Sequence, residues 1–281
     1  MPEPITGAII AKAIEASGSE NASTASNLIQ RMLGPGADAF GQALARSIDY
    51  RARNWGRIAS KAAKKANADL ELGIVNPRVA YVMLEDGSLC DDELMAEYLG
   101  GVLAASRTPD GRDDRAVTWS RVITGLSAFQ VRAHYLLYRE WAARLNGRED
   151  LDFMKMKTGE FVMRLESMEF MTRLAPEASG DDATIMNHAI IGLENAGLIG
   201  SDYGFSNKPV ASNLLKRPMR VNPSYLGIEL YGWALGLPDL HPSEFPSRAQ
   251  VFDIDDPIPR LKGVLLPKLP GGEDATESAD A

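Results

Sequence analysis

The chain has 281 residues, 45% hydrophobic and 24% charged, the composition of a globular protein long enough to bury one large core or two ordinary ones without staples. A formal net charge of −8 and a pI near 5.1 exclude a surface given over as a whole to nucleic acid or anionic lipid, while leaving room for local basic patches. The lone cysteine, Cys90, excludes an intramolecular disulfide and a cysteine-based zinc site, and fits a reducing, cytoplasmic setting.

The first twenty residues, MPEPITGAIIAKAIEASGSE, have no basic leader and their apolar run is interrupted by Lys12 and Glu15, so they do not read as a signal peptide. No run of about 18 uncharged apolar residues occurs anywhere, and no membrane span is expected. Residues 1–32 read as a short helix over 5–16 followed by a flexible joint, SGSENASTAS, rich in small polar residues. The turn Gly34-Pro35-Gly36 then opens the clearest element of the chain, a long amphipathic helix reaching Lys65. At 3.6-residue spacing Phe40, Leu44, Ile48, Trp55, Ile58 and Ala62 share one broad face of it, and Arg46, Arg53, Arg57, Lys61 and Lys64 fall on the other.

Asn76-Pro77 marks the next boundary, with a short helix from Pro77 that Asp86-Gly87-Ser88 breaks. Asp91 and Asp92 precede an apolar stripe, Leu94, Tyr98, Leu99, Val102 and Leu103, which predicts a helix over 91–106. After the polar linker RTPDGRDDR the pattern resumes over Val117 to Ile123 and Ser127 to Leu145, with Ser127 as N-cap. Residues 149–174 carry Phe161, Leu165 and Met168 on one face and Met154, Met156, Met163 and Met171 around it, and read as a methionine-rich helix closing a helical domain over 33–175.

A second module is expected over 176–240. Its first helix ends at Gly197, a strand-like segment starts at Leu198-Ile199, Gly204 to Asn207 turn it, Val210 to Val221 return it, and Pro223 opens a second helix. Helix, hairpin, helix is a winged-helix-like order, so the fold class is mainly α: a helical body followed by a winged-helix-like α+β C-terminal module. Residues 241–281 are expected to form a proline-rich, acidic, partly disordered tail, whose last eleven residues hold four acids and no base.

Chemistry is sparse. His134, His188 and His241 have no second ligand at metal-binding spacing, and no GxxxxGK[ST] loop, GxGxxG fingerprint or GxSxG elbow occurs. The acid clusters Asp91-Asp92-Glu93 and Asp181-Asp182 stand at predicted helix starts, where capping and the helix dipole account for them. No catalytic residue, metal ligand or cofactor is therefore assigned. Two basic groups are candidate contacts: Arg46, Arg53, Arg57, Lys61 and Lys64 for a protein partner or phosphates, unless acids from elsewhere pair with them, and Lys216, Arg217 and Arg220 on the returning segment of the wing. The helix before that wing offers Asn187, His188, Glu194 and Asn195, with no lysine or arginine, and is a poor groove reader.

Leu33-Gly34-Pro35 with Gly41 and Arg53-Asn54, Pro77 before a short helix, Asp92 and Leu94 leading into AEYLGGVLAAS, then WSRVITGLSAFQVRAHYLLY, LENAGLI and PSYLGIELYGWA, form an order that resembles the bacterial Abi-alpha family, named for abortive infection. The resemblance covers roughly residues 33 to 236 and departs from the family pattern at Tyr98-Leu99-Gly100, where a tryptophan-alanine pair is common. It implies a cytoplasmic antiphage-defence role, with sensing or effector contact made by the helical body and the winged-helix-like end; with the missing catalytic signatures, the expectation is a non-enzymatic interaction protein that engages a protein partner or a homo-oligomer. The other readings are a winged-helix nucleic-acid-binding regulator and an enzyme with a dispersed acidic site.

Overall fold

The computed structural model is mainly helical, and its described residues are 37–65, 73–146, 161–177, 183–200, 204–205, 218–248, 252, 254–255, 257–262 and 264, of which 37–46 and 204–205 are described by their backbone. Among them no helix is long and apolar enough to cross a membrane. The chain forms two compact units, Met1–Arg53 and Asn54–Ala281. The division falls inside the first described helix, α1 (Ala37–Lys65). In the first unit the described residues are helical, with Ile48 half-buried and Arg53 exposed. Phe40 and Leu44, predicted to share the apolar face, have side chains outside the described residues.

In the second unit α1 continues with Ile58 and Ala62 buried and Trp55 half-buried, as the 3.6-residue stripe requires. Strand β1 (Ile74–Val75), helix α2 (Pro77–Glu85) and a 3-10 turn (Gly87–Leu89) follow. Asn76 caps α2 by accepting from the Arg78 N–H, and the 3-10 turn replaces the predicted break. Helix α3 (Glu93–Ala105) starts at Asp92, whose carboxylate accepts the Met95 N–H at 2.8 Å. Strand β2 (Arg107–Thr108) pairs antiparallel with β1, and helices α4 (Arg115–Gly125) and α5 (Ala128–Leu145) follow. Ser127 closes a full capping box with Gln130 at the head of α5.

Every residue of α3 from Leu94 to Ala105 is buried, so the helix needs neighbours on all sides. Two consecutive glycines make that possible. A Cβ at Gly100 would come 2.6 Å from Cβ of Lys61 on α1, and one at Gly101 would come 1.9 Å from the carbonyl oxygen of Ala234 in helix α8 (Tyr225–Ala234). Adjacent helical positions point about 100° apart, so the pair lets backbones close on two sides of α3.

Helix α5 is the other central element. His134, Tyr135, Tyr138 and Trp141 from it join Tyr98, Tyr231, Phe245 and Phe252 in one aromatic cluster, with Tyr135 stacked 4.9 Å from Phe252 and His134 stacked 4.3 Å from Tyr138.

Two expectations fail beyond α5. The predicted helix over 149–174 is, in its described part, strand β3 (Met163–Glu166) followed by helix α6 (Ser167–Leu174). Met163 and Leu165 point inward and Arg164 and Glu166 outward, a period of two. Phe161, Leu165 and Met168 happen also to satisfy a helical period, and pairing with a distant strand decides between the two. Helix α7 (Ala183–Asn195) ends as expected, with Gly197 at φ 69°. Gly204 to Asn207, predicted as a turn, begin instead with strand β4 (Gly204–Phe205), and the connection to β5 (Pro218–Val221) spans residues 206–217, outside the described residues. The sheet order is β3-β5-β4, all antiparallel, so it joins residues on both sides of the expected 175/176 boundary. Ile199, predicted to start a strand, makes a single bridge to Pro223.

A 3-10 turn (Pro242–Glu244) and a last short helix, α9 (Phe245–Arg248), follow, and the described residues after it belong to no helix or strand. Phe252, Ile254, Ile258, Leu261 and Val264 are buried, so this part of the expected tail is core. Side chains of α5 hold it. Arg139 donates to the carbonyls of Ile258 at 2.6 Å and Pro259 at 2.9 Å, while Glu140, fully buried, accepts from Arg260 at 2.9 Å and from the Leu261 N–H at 3.2 Å. Residues 265–281 lie outside the described residues.

Candidate partner-binding surfaces

The cations of α1 do not form one solvent-facing row. Arg53 is exposed, and the side chain of Arg46 is outside the described residues. Arg57 turns to Asn54 and to the backbone carbonyl of Asp91. Lys61 Nζ lies 3.2 Å from Glu93 Oε1 and 2.6 Å from Glu97 Oε1, and Lys65 Nζ lies 2.5 Å from Glu97 Oε2. Lys65 also donates to the carbonyls of Glu97 and Ala234 and stands 4.6 Å above the Phe252 ring. The reason is positional: Ile58, Lys61, Ala62 and Lys65 form an i, i+3, i+4, i+7 stripe, so Lys61 borders the packed face. Glu97 is 1% exposed on α3 and draws both ammonium groups inward. Burial disfavours the Lys61 charge, but hydrogen bonds and attraction from Glu97 and Glu93 outweigh it and its pKa is raised. Lys65 is more deeply enclosed, and there burial wins and its pKa is lowered. Lys64 remains at an exposed position.

The wing cations are divided as well. Lys216 and Arg217 are outside the described residues, whereas Arg220 stands exposed on β5, directly across from exposed Arg164 of β3, with Gly204 on its other side. Among the described residues no carboxylate pairs with either arginine. Directly opposed like charges oppose strand pairing, so this row costs stability in the free protein. Arg164 was hidden from sequence reasoning by the helical reading of its segment; the alternation Met-Arg-Leu-Glu was the signal that could have found it.

Helix α7 buries Met186, Ala189, Ile190 and Leu193 and turns Thr184, His188, Ile191 and Asn195 outward, with Asn187 and Glu194 half-buried. Ile191 is 41% exposed. A Cβ at Gly192 would come 1.8 Å from Gln130 Nε2 on α5, so a side chain there would displace the end of Gln130. The His188 ring lies 3.1 Å from Ser127 Oγ, but that hydroxyl already accepts the Gln130 N–H as a helix cap, and the pair is structural. His241 likewise caps the 3-10 turn through Ser243.

Beneath these surfaces lies a buried polar chain. His134 Nε2 is 3.1 Å from the Gly227 carbonyl, which can only accept, so Nε2 carries the proton and Nδ1 accepts from the Tyr98 hydroxyl at 2.7 Å. Burial holds the imidazole neutral, with its pKa pushed down to about 3 despite the Gly227 bond. Tyr138 donates to the Leu198 carbonyl at 2.6 Å and accepts the Ser224 N–H at 2.9 Å. A Cβ at Gly227 would come 1.9 Å from the Tyr138 hydroxyl. These groups join α3, α5 and α8 and meet no surface.

The acid cluster at the start of α3 is equally occupied: Asp92 caps, and Glu93 binds Lys61 and the Asp255 N–H. Asp181 and Asp182 are outside the described residues. Among the described residues no three of His, Cys, Asp and Glu gather as a metal site would need. Cys90 is half-buried, and burial, aided by Asp86, Asp91 and Asp92, pushes its thiol up to about 11. The described surfaces present an apolar and polar helix face on α7 and an arginine row on the sheet. Comparison with protein-family models, with curated proteins and with solved structures finds no match.

Proposed function

We propose that the protein is a non-enzymatic interaction protein of bacterial antiphage defence, as its Abi-alpha resemblance implies, and that α5 to β5 form a winged-helix module used for protein recognition. The order helix, strand, helix, helix, strand, strand with sheet order β3-β5-β4 supports the winged-helix reading, in a form that would start earlier in the chain than the helix-hairpin-helix pattern alone suggests. The observation that carries the choice of a protein partner is the outward face of α7, the helix that would read a groove: it offers Ile191, polar residues and Glu194, and no lysine or arginine. Lys61 and Lys65 of α1 are held by Glu97, and Lys61 by Glu93 as well, so neither is offered to a phosphate. Phage challenge tests the role: cells carrying the gene under its own promoter, with its neighbours, should resist at least one phage of a broad panel, and no resistance to any would end the proposal.

A second reading, contact with a nucleic-acid backbone, is favoured by the Arg164–Arg220 row, since two guanidinium groups side by side can share a phosphate. Its test is a mobility-shift titration at two salt concentrations. Binding that weakens steeply with salt and is lost in the Arg164→Gln/Arg220→Gln variant would favour it, and salt-independent or absent binding would dismiss it.

A further inference from the structure

The stretch after α9 is tied to one place on the molecule. Arg139 and Glu140 of α5 hold its backbone from Ile258 to Leu261, and the Lys262 N–H donates to Glu169 Oε1 at 2.7 Å. Glu169 stands in the first turn of α6, five residues after Arg164 of β3, and Val264 is buried two residues past Lys262. These contacts bring the chain to the junction of β3 and α6, and residues 265–281 set out from there.

The charge of those residues matches what stands on the adjoining strands. Residues 271–281 carry Glu273, Asp274, Glu277 and Asp280 and no base. On the sheet, Arg164 and Arg220 lie opposite each other and exposed, Gly204 leaves the far side of Arg220 without a side chain, and Lys216 and Arg217 directly precede β5 in the sequence. Glu166, the acid on the same face of β3, lies opposite Pro218 and pairs with neither arginine. Reach is sufficient: the eleven residues from Lys262 to Glu273 span up to about 36 Å, and Glu169 and Arg164, five residues apart, are within about 18 Å of each other. A segment tethered so closely meets the row at an effective concentration on the order of millimolar.

We propose that residues 273–280 of this chain fold back on the Arg164–Arg220 row and form an internal cover that any external anion must displace. A carboxylate takes the same guanidinium fork that a phosphate would take. Pairs of this kind are exposed and individually weak, so the cover lightens the Arg164–Arg220 repulsion without cancelling it, and it yields to salt. It belongs to the free chain, whichever partner the module meets.

Two reciprocal protections, measured on the full chain, test it. The first is the rate at which phenylglyoxal modifies each arginine, followed peptide by peptide by mass spectrometry. In about 20 mM salt Arg164 and Arg220 should react about three- to tenfold more slowly in the wild type than in Glu273→Gln/Asp274→Asn/Glu277→Gln/Asp280→Asn, while exposed Arg121 reacts alike in both. In about 0.5 M salt the difference should vanish. The second is cleavage after Glu273 and Glu277 by a glutamate-specific protease. It should be slower by a similar factor in the wild type than in Arg164→Gln/Arg220→Gln, with circular dichroism showing that variant folded. Equal reactivity of Arg164 and Arg220 in the two chains, protection that extends equally to Arg121, or cleavage indifferent to the arginine substitutions would each overturn the proposal.

Discussion

Lys61 and Lys65 on α1 and Arg164 and Arg220 on the sheet carry the same charge in opposite circumstances. The lysines sit against a carboxylate that is 1% exposed and are fixed by two helices, whereas the arginines face each other in water without a carboxylate beside either among the described residues. In the first place charge has been spent on holding elements together; in the second it is left uncompensated at some cost to the fold. Cations that look alike in sequence are therefore sorted by whether an acid is buried within reach, and a positive surface is to be sought where none is.

The sharpest way to break this contrast is to remove the acid. Glu97→Ala leaves Lys65 enclosed without a counter-charge and Lys61 with Glu93 alone, and should destabilise the protein by about 3–5 kcal/mol in urea unfolding, since that is the scale for orphaning one side of a buried pair. Lys61→Glu should approach the same loss, while Arg53→Glu, at an exposed position of the same helix, should stay within about 0.5 kcal/mol. Equal effects of the two reversals would erase the distinction between internal and solvent-facing cations.

His134 provides a measure that involves no surface charge. Its folded pKa of about 3 lies below the ordinary 6.5, so the unfolded chain binds the proton first. Its stabilising contribution is complete above pH 6.5 and should fall by roughly 1.4 kcal/mol per pH unit as pH drops from 6.5 towards 3. His134→Gln should flatten that part of the stability profile, even if it lowers the whole curve.

Arg220→Gln should act in the opposite direction from Glu97→Ala and far more weakly, raising the unfolding midpoint by the equivalent of about 0.2–1 kcal/mol through relief of the Arg164 repulsion. A midpoint that falls would mean that the arginine row stabilises the free protein. Smallest of all, Cys90 should alkylate more slowly at pH 8 than a free thiol, because a pKa near 11 leaves little thiolate; a normal rate would mean its surroundings are more open than they stand here.

Helices whose identity rests on local signals were legible in the sequence. Ser127 and Asp92 announced their helices by capping chemistry, and Ile58 and Ala62 by spacing. What the sequence hid depends on partners far away along the chain. Met163 to Glu166 is a strand because β5 lies 50 or more residues later, and Lys61 turns inward because Glu97 is buried on another helix. The stretch after Phe252 has no period to read, since its backbone is held by Arg139 and Glu140 rather than by a neighbouring strand. The candidate surfaces divide in the same way: Arg220 was visible as part of a basic group, but its neighbour Arg164 comes to it through topology alone.

The functional claim rests on the outward face of α7 as a protein-recognition surface, and Ile191 is its most exposed apolar group. The most direct measurement is phage challenge of cells carrying the intact gene beside cells carrying Ile191→Lys, with protein levels compared by blotting. The expected result is protection by the intact gene and its loss in the variant at equal protein abundance. Undiminished protection by Ile191→Lys would contradict the account.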